Sequence, residues 1–503
     1  MTTPDPPAAG PRDPRDPLGL RGDAPLLDAW LSFGELLRAG TATPFTIPGH
    51  KQRTHLVGDV ISGDIPLFGG LDTLKQTGGL LAEAERRAAA LWGVDWCRFS
   101  VGGSTHGNQA LALALGAPGQ EVVVSRTLHR SLLLGIVLAG LRPVWVRPAM
   151  DARTGLPTSV PVGDVEAALA AHPDACAVLL GDPSYVGTVG DVTAHAQAAH
   201  AAGVPLVVDA AWAAHFGFSP TTPPHALAAG ADAMVTSAHK TLPSWSQAAI
   251  VLARTTRAGG RLDPGRLDRG FDASSTTSPA GAILASTDVA RALLARHGEA
   301  LVGRLTSLVR SARDRLAGVP GLAALDDRPA DHPAGPLLVD PAKLVVLLAG
   351  TGAHGHRVEA DLWAAGIGLE MADRDVLVPM VTVADDEASV TRLLDVVIAS
   401  VERHRGTPRP VTPSPVWTVE PSTATDPRTA FFAPHETVPA EAAVGRVSAE
   451  LVAPYPPGVP VLAPGERVTG SALAALLSAQ ADGGRIAYAA DPTLATLQVL
   501  ADR

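Results

Sequence analysis

The stretch Met234-Val235-Thr236-Ser237-Ala238-His239-Lys240 runs from a short apolar and β-branched segment directly into a lysine. Such a segment reads as a buried strand ending at Thr236. A lysine at the end of a buried strand is costly unless it is paired or uncharged, and forming a covalent imine removes the charge. Taken alone, Lys240 is equally well explained as a solvated loop residue. The chain nevertheless uses lysine sparingly (Lys51, Lys75, Lys240 and Lys343) and relies on arginine, which cannot form a Schiff base.

Upstream of this stretch, short apolar runs recur at Val122 to Val124, Val144 to Val146, Ala177 to Leu180 and Leu206 to Val208. Helical patterns separate them at 131–140, 164–171 and 193–202, after an Ala-rich helix from Leu80 to Trp92 stopped by Gly93. Strands alternating with helices of this length predict βαβ units and a mainly parallel sheet covered on both faces. In such sheets ligands sit beyond the carboxyl ends of the strands. The predicted organisation is a disordered tail over 1–25, an amino-terminal arm over 26–79 and a large cofactor-binding α/β domain over 80–272. A Ser/Thr-rich break then opens a smaller α/β domain over 273–405. It holds a long helix to Leu316, a strand over 343–348, a helix over 357–365 and a strand over 376–383. A Pro-rich linker over 406–427 leads to a carboxy-terminal cap domain over 428–503.

Composition narrows the function classes. The 503 residues are 46% hydrophobic and 18% charged, enough for large cores, while aromatics at 4% leave those cores to Ala, Val and Leu. A net charge of −10 with no basic run argues against a nucleic-acid partner. No apolar stretch is long enough to predict a membrane span. Two cysteines, Cys97 and Cys176, make no disulfide framework, so a cytoplasmic setting is expected.

Three further segments share the position of Lys240, after a strand or at a helix start. Asp209 closes Pro205-Leu206-Val207-Val208-Asp209, and an Asp there can pair with a protonated pyridine nitrogen. Gly102-Gly103-Ser104-Thr105-His106-Gly107-Asn108 opens a helix whose N-terminal N–H groups suit a phosphate. Arg126-Thr127-Leu128-His129-Arg130-Ser131 follows the second strand, and its histidine could stack on a cofactor ring. Each has an ordinary explanation by itself: a helix cap, a flexible turn, a loop histidine. Phosphate loop, His129, Asp209 and Lys240 nevertheless follow the order of fold-type-I pyridoxal-phosphate (PLP) enzymes, and four coincidences in one chain favour that reading.

These segments also resemble the ornithine/lysine/arginine decarboxylase family, in a compact form without the amino-terminal wing domain. Thr43-Pro44 and Pro48-Gly49-His50-Lys51 are similar to its "P-G-H-K" segment, Gly103-Ser104-Thr105 with Asn108 to its phosphate loop, and His129-Arg130-Ser131 to its "H-K-S" step. Asp182-Pro183-Ser184-Tyr185-Val186-Gly187 resembles "P-x-Y-x-G", Asp209-Ala210-Ala211-Trp212 resembles "D-S-A-W", and Ser237-Ala238-His239-Lys240 matches "S-x-H-K". Downstream, Glu450, Pro454-Tyr455-Pro456-Pro457-Gly458-Val459-Pro460 and Pro464-Gly465-Glu466 resemble the carboxy-terminal "P-Y-P-P-G-I-P…P-G-E" signature. The resemblance spans about 43–470. It implies a fold-type-I α/β protein, aspartate-aminotransferase-like, that decarboxylates lysine, ornithine or arginine.

Position by position, the resemblance implies Lys240 as Schiff-base lysine, Asp209 as ring-nitrogen partner and His129 as stacking group. Ser104, Thr105 and Ser237 would hold the phosphate, and His239 would assist proton transfer or touch the phosphate. A small-molecule amino-acid substrate, a homodimer and no metal are expected. The family's acidic "D-I-T-E" element stands as Asp64-Ile65-Pro66-Leu67, without its Glu, which leaves substrate identity open. Asp64, Asp72 and Glu436 are the acidic candidates for a distal cationic group. Alternative readings are an aminotransferase or carbon–carbon lyase of this fold, a ligand-sensing regulator, or a metal enzyme built on His354 and His356 or His50 and His55.

Overall fold

A computed structural model of the chain describes residues 15–64, 79–455 and 458–502. Its centre is a seven-stranded sheet. In spatial order the strands are Trp96–Ser100, Ala249–Ala253, Ala233–Ser237, Leu206–Asp209, Val178–Gly181, Glu121–Ser125 and Arg142–Val146. Consecutive side chains point to opposite faces, so the β-branched runs feed two separate cores. Val123, Leu206 and Val208 enter one apolar cluster, while Val122, Val124 and Val207 enter the other. That double coverage explains why the strands read as continuous apolar runs rather than alternating ones.

The sheet is mixed rather than wholly parallel. Ala249–Ala253 runs antiparallel to both of its neighbours. Only residues 238–248 separate it from the preceding strand, too few for a crossover, so the chain must fold straight back. This strand and Trp96–Ser100, which carries Arg98 in its middle, were not predicted from the sequence.

Gly281–Ala317 is a single 37-residue helix leading into the smaller α/β unit. The sheet there has four antiparallel strands, ordered Met371–Ala372, Val376–Val378, Val346–Leu347 and Ala323–Ala324. Both strands predicted in this region are shorter than expected. Pro379 cannot donate to a ladder, and Lys343 closes a turn by donating its N–H to the Asp340 carbonyl, 3.0 Å away.

Two expectations are corrected. Of the tail expected over 1–25, residues 15–25 are described, and they are anchored at a few points rather than free. Asp16 caps the Leu20 N–H at 2.7 Å, and Leu20 and Ala24 are buried against Ala292 and Leu293 of the long helix. The proline-rich segment 406–427 is held in place rather than serving as a spacer. Arg409 bonds to Asp375 and to the carbonyls of Gly352 and Ala353, and Pro415–Thr418 is a helical turn against Gly470–Ala481.

The carboxy-terminal region has its own apolar cluster, including Val452, Leu462, Leu476 and Val499. It is fastened to the large sheet by Arg126, which makes a two-pronged buried pair with Glu466 at 2.6 and 2.8 Å and lies over the Trp145 ring. No helix among the described residues is long and apolar enough to cross a membrane.

Candidate active site

Parallel registry aligns the strand ends. Gly181 pairs with Asp209 and Asp209 with Val235, so the Leu206 and Ala233 strands end side by side. Asp209 therefore lies next to the turn carrying Ser237 to Lys240. The helix Gly103–Leu115 reaches the same edge because Gly107 has no side chain: a Cβ there would come within 2.9 Å of Val235 and Val251. Gly103 adopts φ +68° and donates its N–H to the Gln247 carbonyl at 2.9 Å, which fixes the helix start over the lysine turn. The Ser104 and Ser237 hydroxyls then lie 2.7 Å apart, with Thr105 exposed beside them.

Asp209 is 8% exposed. One oxygen accepts from Asn108 Nδ2 at 2.7 Å and the other from the Ala211 N–H at 3.2 Å. Among the described residues this buried carboxylate has only neutral hydrogen-bond donors, an arrangement that suits an additional cationic N–H such as a protonated pyridine. Asn108 also donates to Ser131 Oγ at 2.9 Å, and Ser131 in turn bonds His129 Nδ1 at 2.8 Å. The Ser131 N–H donates to that same Nδ1, so the imidazole proton belongs on Nε2. Burial, the largest influence, pushes the His129 pKa down and favours the neutral ring.

Lys240 lies over the Trp212 ring, its Nζ 3.9 Å from the centroid. Burial lowers its pKa against the opposing fields of Asp209 and Glu370, favouring the uncharged amine that imine formation requires. His239 donates from Nδ1 to the Ala248 carbonyl at 2.8 Å, leaving Nε2 its lone pair, and burial lowers its pKa too. Lys240, Asp209, His129, His239, Ser104, Thr105 and Ser237 thus converge on one sheet edge. These residues fit PLP: hydroxyls at a helix N-terminus for the phosphate, a buried carboxylate for the ring nitrogen and a deprotonatable lysine.

The acidic candidates fare differently. Asp64 pairs with His50 at 3.0 Å. Glu436 is exposed on the outer strand of the carboxy-terminal region, where it binds Arg446, so it is not brought to the site. Asp72 and Leu67 lie outside the described residues, as do Pro456 and Pro457. The acid that does face the site is Glu370, absent from the sequence expectations. It accepts from the Tyr185 hydroxyl at 3.1 Å, and its field reaches Lys240, His239 and Lys343. Burial and Glu370 drive the Tyr185 pKa upward and keep it a donor. Glu370 also opens on a cavity of about 1550 Å³ bordered by Trp363, Tyr455 and Asp482.

Comparison with known proteins matches the pattern described as "Orn/Lys/Arg decarboxylase, major domain" to residues 41–365 and that described as "Orn/Lys/Arg decarboxylase, C-terminal domain" to 412–485. The chain belongs to the Orn/Lys/Arg decarboxylase family. An arginine decarboxylase of Halalkalibacterium halodurans is 32% identical over 91% of this chain and 94% of its own length. One of Bacillus subtilis is 31% identical over 84% of this chain and 88% of its own. Among solved structures, the constitutive lysine decarboxylase of Escherichia coli superposes with a TM-score of 0.77 at 21% identity, covering 96% of this chain and 82% of that one. The fold-type-I architecture expected from the sequence is the one found.

Proposed function

We propose that this Orn/Lys/Arg decarboxylase family member removes the α-carboxyl group of a basic amino acid as CO2, using PLP carried on Lys240. The observation that carries the reading is the meeting of Lys240, Asp209 and His129 at adjacent strand ends, in a chain of this family. When bound, PLP supplies a cationic conjugated ring that accepts the electron pair left as the Cα–carboxylate bond breaks.

The chain's own residues set the conditions for that step. Asp209, oriented by Asn108, would hold the proton on the ring nitrogen. His129, locked neutral by Ser131, would lie flat against the ring. Ser104, Thr105 and Ser237 would bind the phosphate at the N-terminus of the Gly103–Leu115 helix, where dipole and free N–H groups favour an anion. His239 would hold a proton at Nε2 or contact the phosphate. Glu370 would receive the substrate's distal amine or guanidinium through a charge-assisted hydrogen bond, with Tyr185 fixing its position.

We also propose the domain division at 80–272, 273–405 and 428–503, a cytoplasmic location in keeping with free Cys97 and Cys176, and a homodimer. The dimer is supported by apolar side chains left in the open on the amino-terminal arm, where Phe45 is 92% exposed and Ile47, Leu56 and Val60 are exposed as well. The test of the function is a screen of PLP-loaded protein against lysine, ornithine and arginine. The expected products are CO2 and the matching amine without any added 2-oxo acid. Amino transfer to a 2-oxo acid outpacing CO2 release would replace this reading with that of an aminotransferase.

A further inference from the structure

Beside Lys240 the site contains a second lysine. Lys343 is only 5% exposed, yet among the described residues its Nζ donates to a single group, the weakly accepting Sδ of Met380 at 3.5 Å. Its Nζ lies 3.9 Å from the centroid of the Trp212 ring, the distance at which Lys240 also lies. The two nitrogens are therefore within twice that distance of one another. Space for the Lys343 stem is made by Gly187 in a left-handed turn (φ +84°), where a Cβ would stand 2.7 Å from Lys343 Cγ. The nearby Asp340 is already engaged: its Oδ1 bonds His215 at 3.0 Å and accepts the Ala342 N–H at 2.9 Å.

A buried ammonium with two N–H groups unused is expensive unless an anion comes to it. Burial lowers its pKa to about 8, so at neutral pH it still carries its charge. The phosphate-binding hydroxyls are assigned to the helix N-terminus, and the substrate's distal end carries positive charge. The remaining anion is the α-carboxylate, attached one carbon from the amine that reacts at Lys240. We propose that Lys343 receives the α-carboxylate of the substrate, with Trp212 forming the shared wall between it and the reacting amine. This rests on the decarboxylase reading above. With Glu370 taking the distal cation and Lys343 the carboxylate, the substrate is held at both ends, which fixes the bond at Cα presented for cleavage. Because the ion pair exists before the bond breaks, its loss shows mainly in binding rather than in turnover.

The test uses holoenzyme treated with borohydride, which cannot turn over, and calorimetric binding of three ligands. These are the amino acid found to be decarboxylated, its neutral α-amide and its decarboxylated amine. The unmodified chain should bind the amino acid about tenfold or more tightly than the amide or the amine, the scale of one charged hydrogen bond. Lys343→Met should bring all three within about twofold, while Lys343→Arg retains most of the preference. Lys343→Gln serves if the Met variant does not fold. Equal affinity for amino acid and amide in the unmodified chain, or an undiminished preference in Lys343→Met, overturns the proposal. Absence of CO2 release from every basic amino acid removes the functional reading and this inference together. A turned-over substrate with an unchanged preference removes only the role of Lys343.

Discussion

The floor and the wall of the site are built in opposite ways. The floor is the row of carboxyl ends of neighbouring strands and the turns that follow them, and it supplies Asp209, His129, Ser237 and Lys240. Each of these ends a buried strand or comes within four residues of its end, so the parallel registry of the strands brings them to one edge. The wall gathers Tyr185, Lys343 and Glu370 from a turn, a loop and the edge of a short strand, spread over 185 residues of chain. No local pattern unites them; they meet where the pairing of Leu338–Val339 with Thr188–Val189 joins distant segments of the chain. The difference suggests a division of labour. On the proposed function, the floor would hold the groups common to PLP chemistry and the wall those that select the substrate.

That division can be broken or sharpened by substitution. The largest effect is expected at the seam fastening the cap to the floor. Glu466→Ala leaves Arg126 buried without its carboxylate partner, and such a loss costs about 3–5 kcal/mol. Denaturant unfolding should show it directly, and an unchanged midpoint would mean that the cap is not held by this pair. Next comes the floor: Asp209→Asn should keep the cofactor bound yet lower turnover at least about a hundredfold for every substrate, the scale of one strong electrostatic stabiliser. A loss confined to one substrate would contradict its placement on the floor.

A smaller and more selective loss is expected at the wall. Glu370→Gln should cut kcat/KM for basic amino acids about tenfold, mostly through KM, with little effect on a neutral amino acid of similar length. Equal losses for basic and neutral substrates would erase the distinction between floor and wall.

An effect of a different kind, on pH dependence, is expected at Asp182, buried just after the Val178–Gly181 strand, where burial raises its pKa from 3.8 to about 7. The folded chain therefore holds a proton there that the unfolded chain has already released between those values. Stability should fall as pH rises from about 4 to about 7, and Asp182→Asn should flatten that slope in thermal melts across the window. A slope unchanged by the substitution would show that Asp182 titrates normally.

The floor was legible in the sequence because its determinants are local. A Val-rich run ending in Asp, a glycine pair before hydroxyls and a lysine after Thr236 each announce a strand or helix end. The wall was not. Glu370 is an exposed residue before a two-residue strand, and nothing around it in sequence marks it apart from Asp64 or Glu436. Lys343 carried one faint signal, the scarcity of lysine, but that acquires meaning only when Trp212 is seen between it and Lys240. Asn108 stood inside a quoted motif, yet its role in orienting Asp209 depends on a contact between residues 101 positions apart. The antiparallel strand Ala249–Ala253 was missed because an apolar run does not state its direction; the short connection before it does.

The most direct test of the central claim is borohydride reduction of the PLP-loaded protein followed by peptide mapping. Lys240 and Lys343 each place Nζ 3.9 Å from the Trp212 ring centroid, and Asp209 acts on Lys240, so the two lysines are genuine competitors for the label. The expected result is a pyridoxyl group on the peptide containing Lys240 and no other. A label on Lys343, or on Lys51 or Lys75, would contradict the assignment of Lys240 as the residue that carries the cofactor.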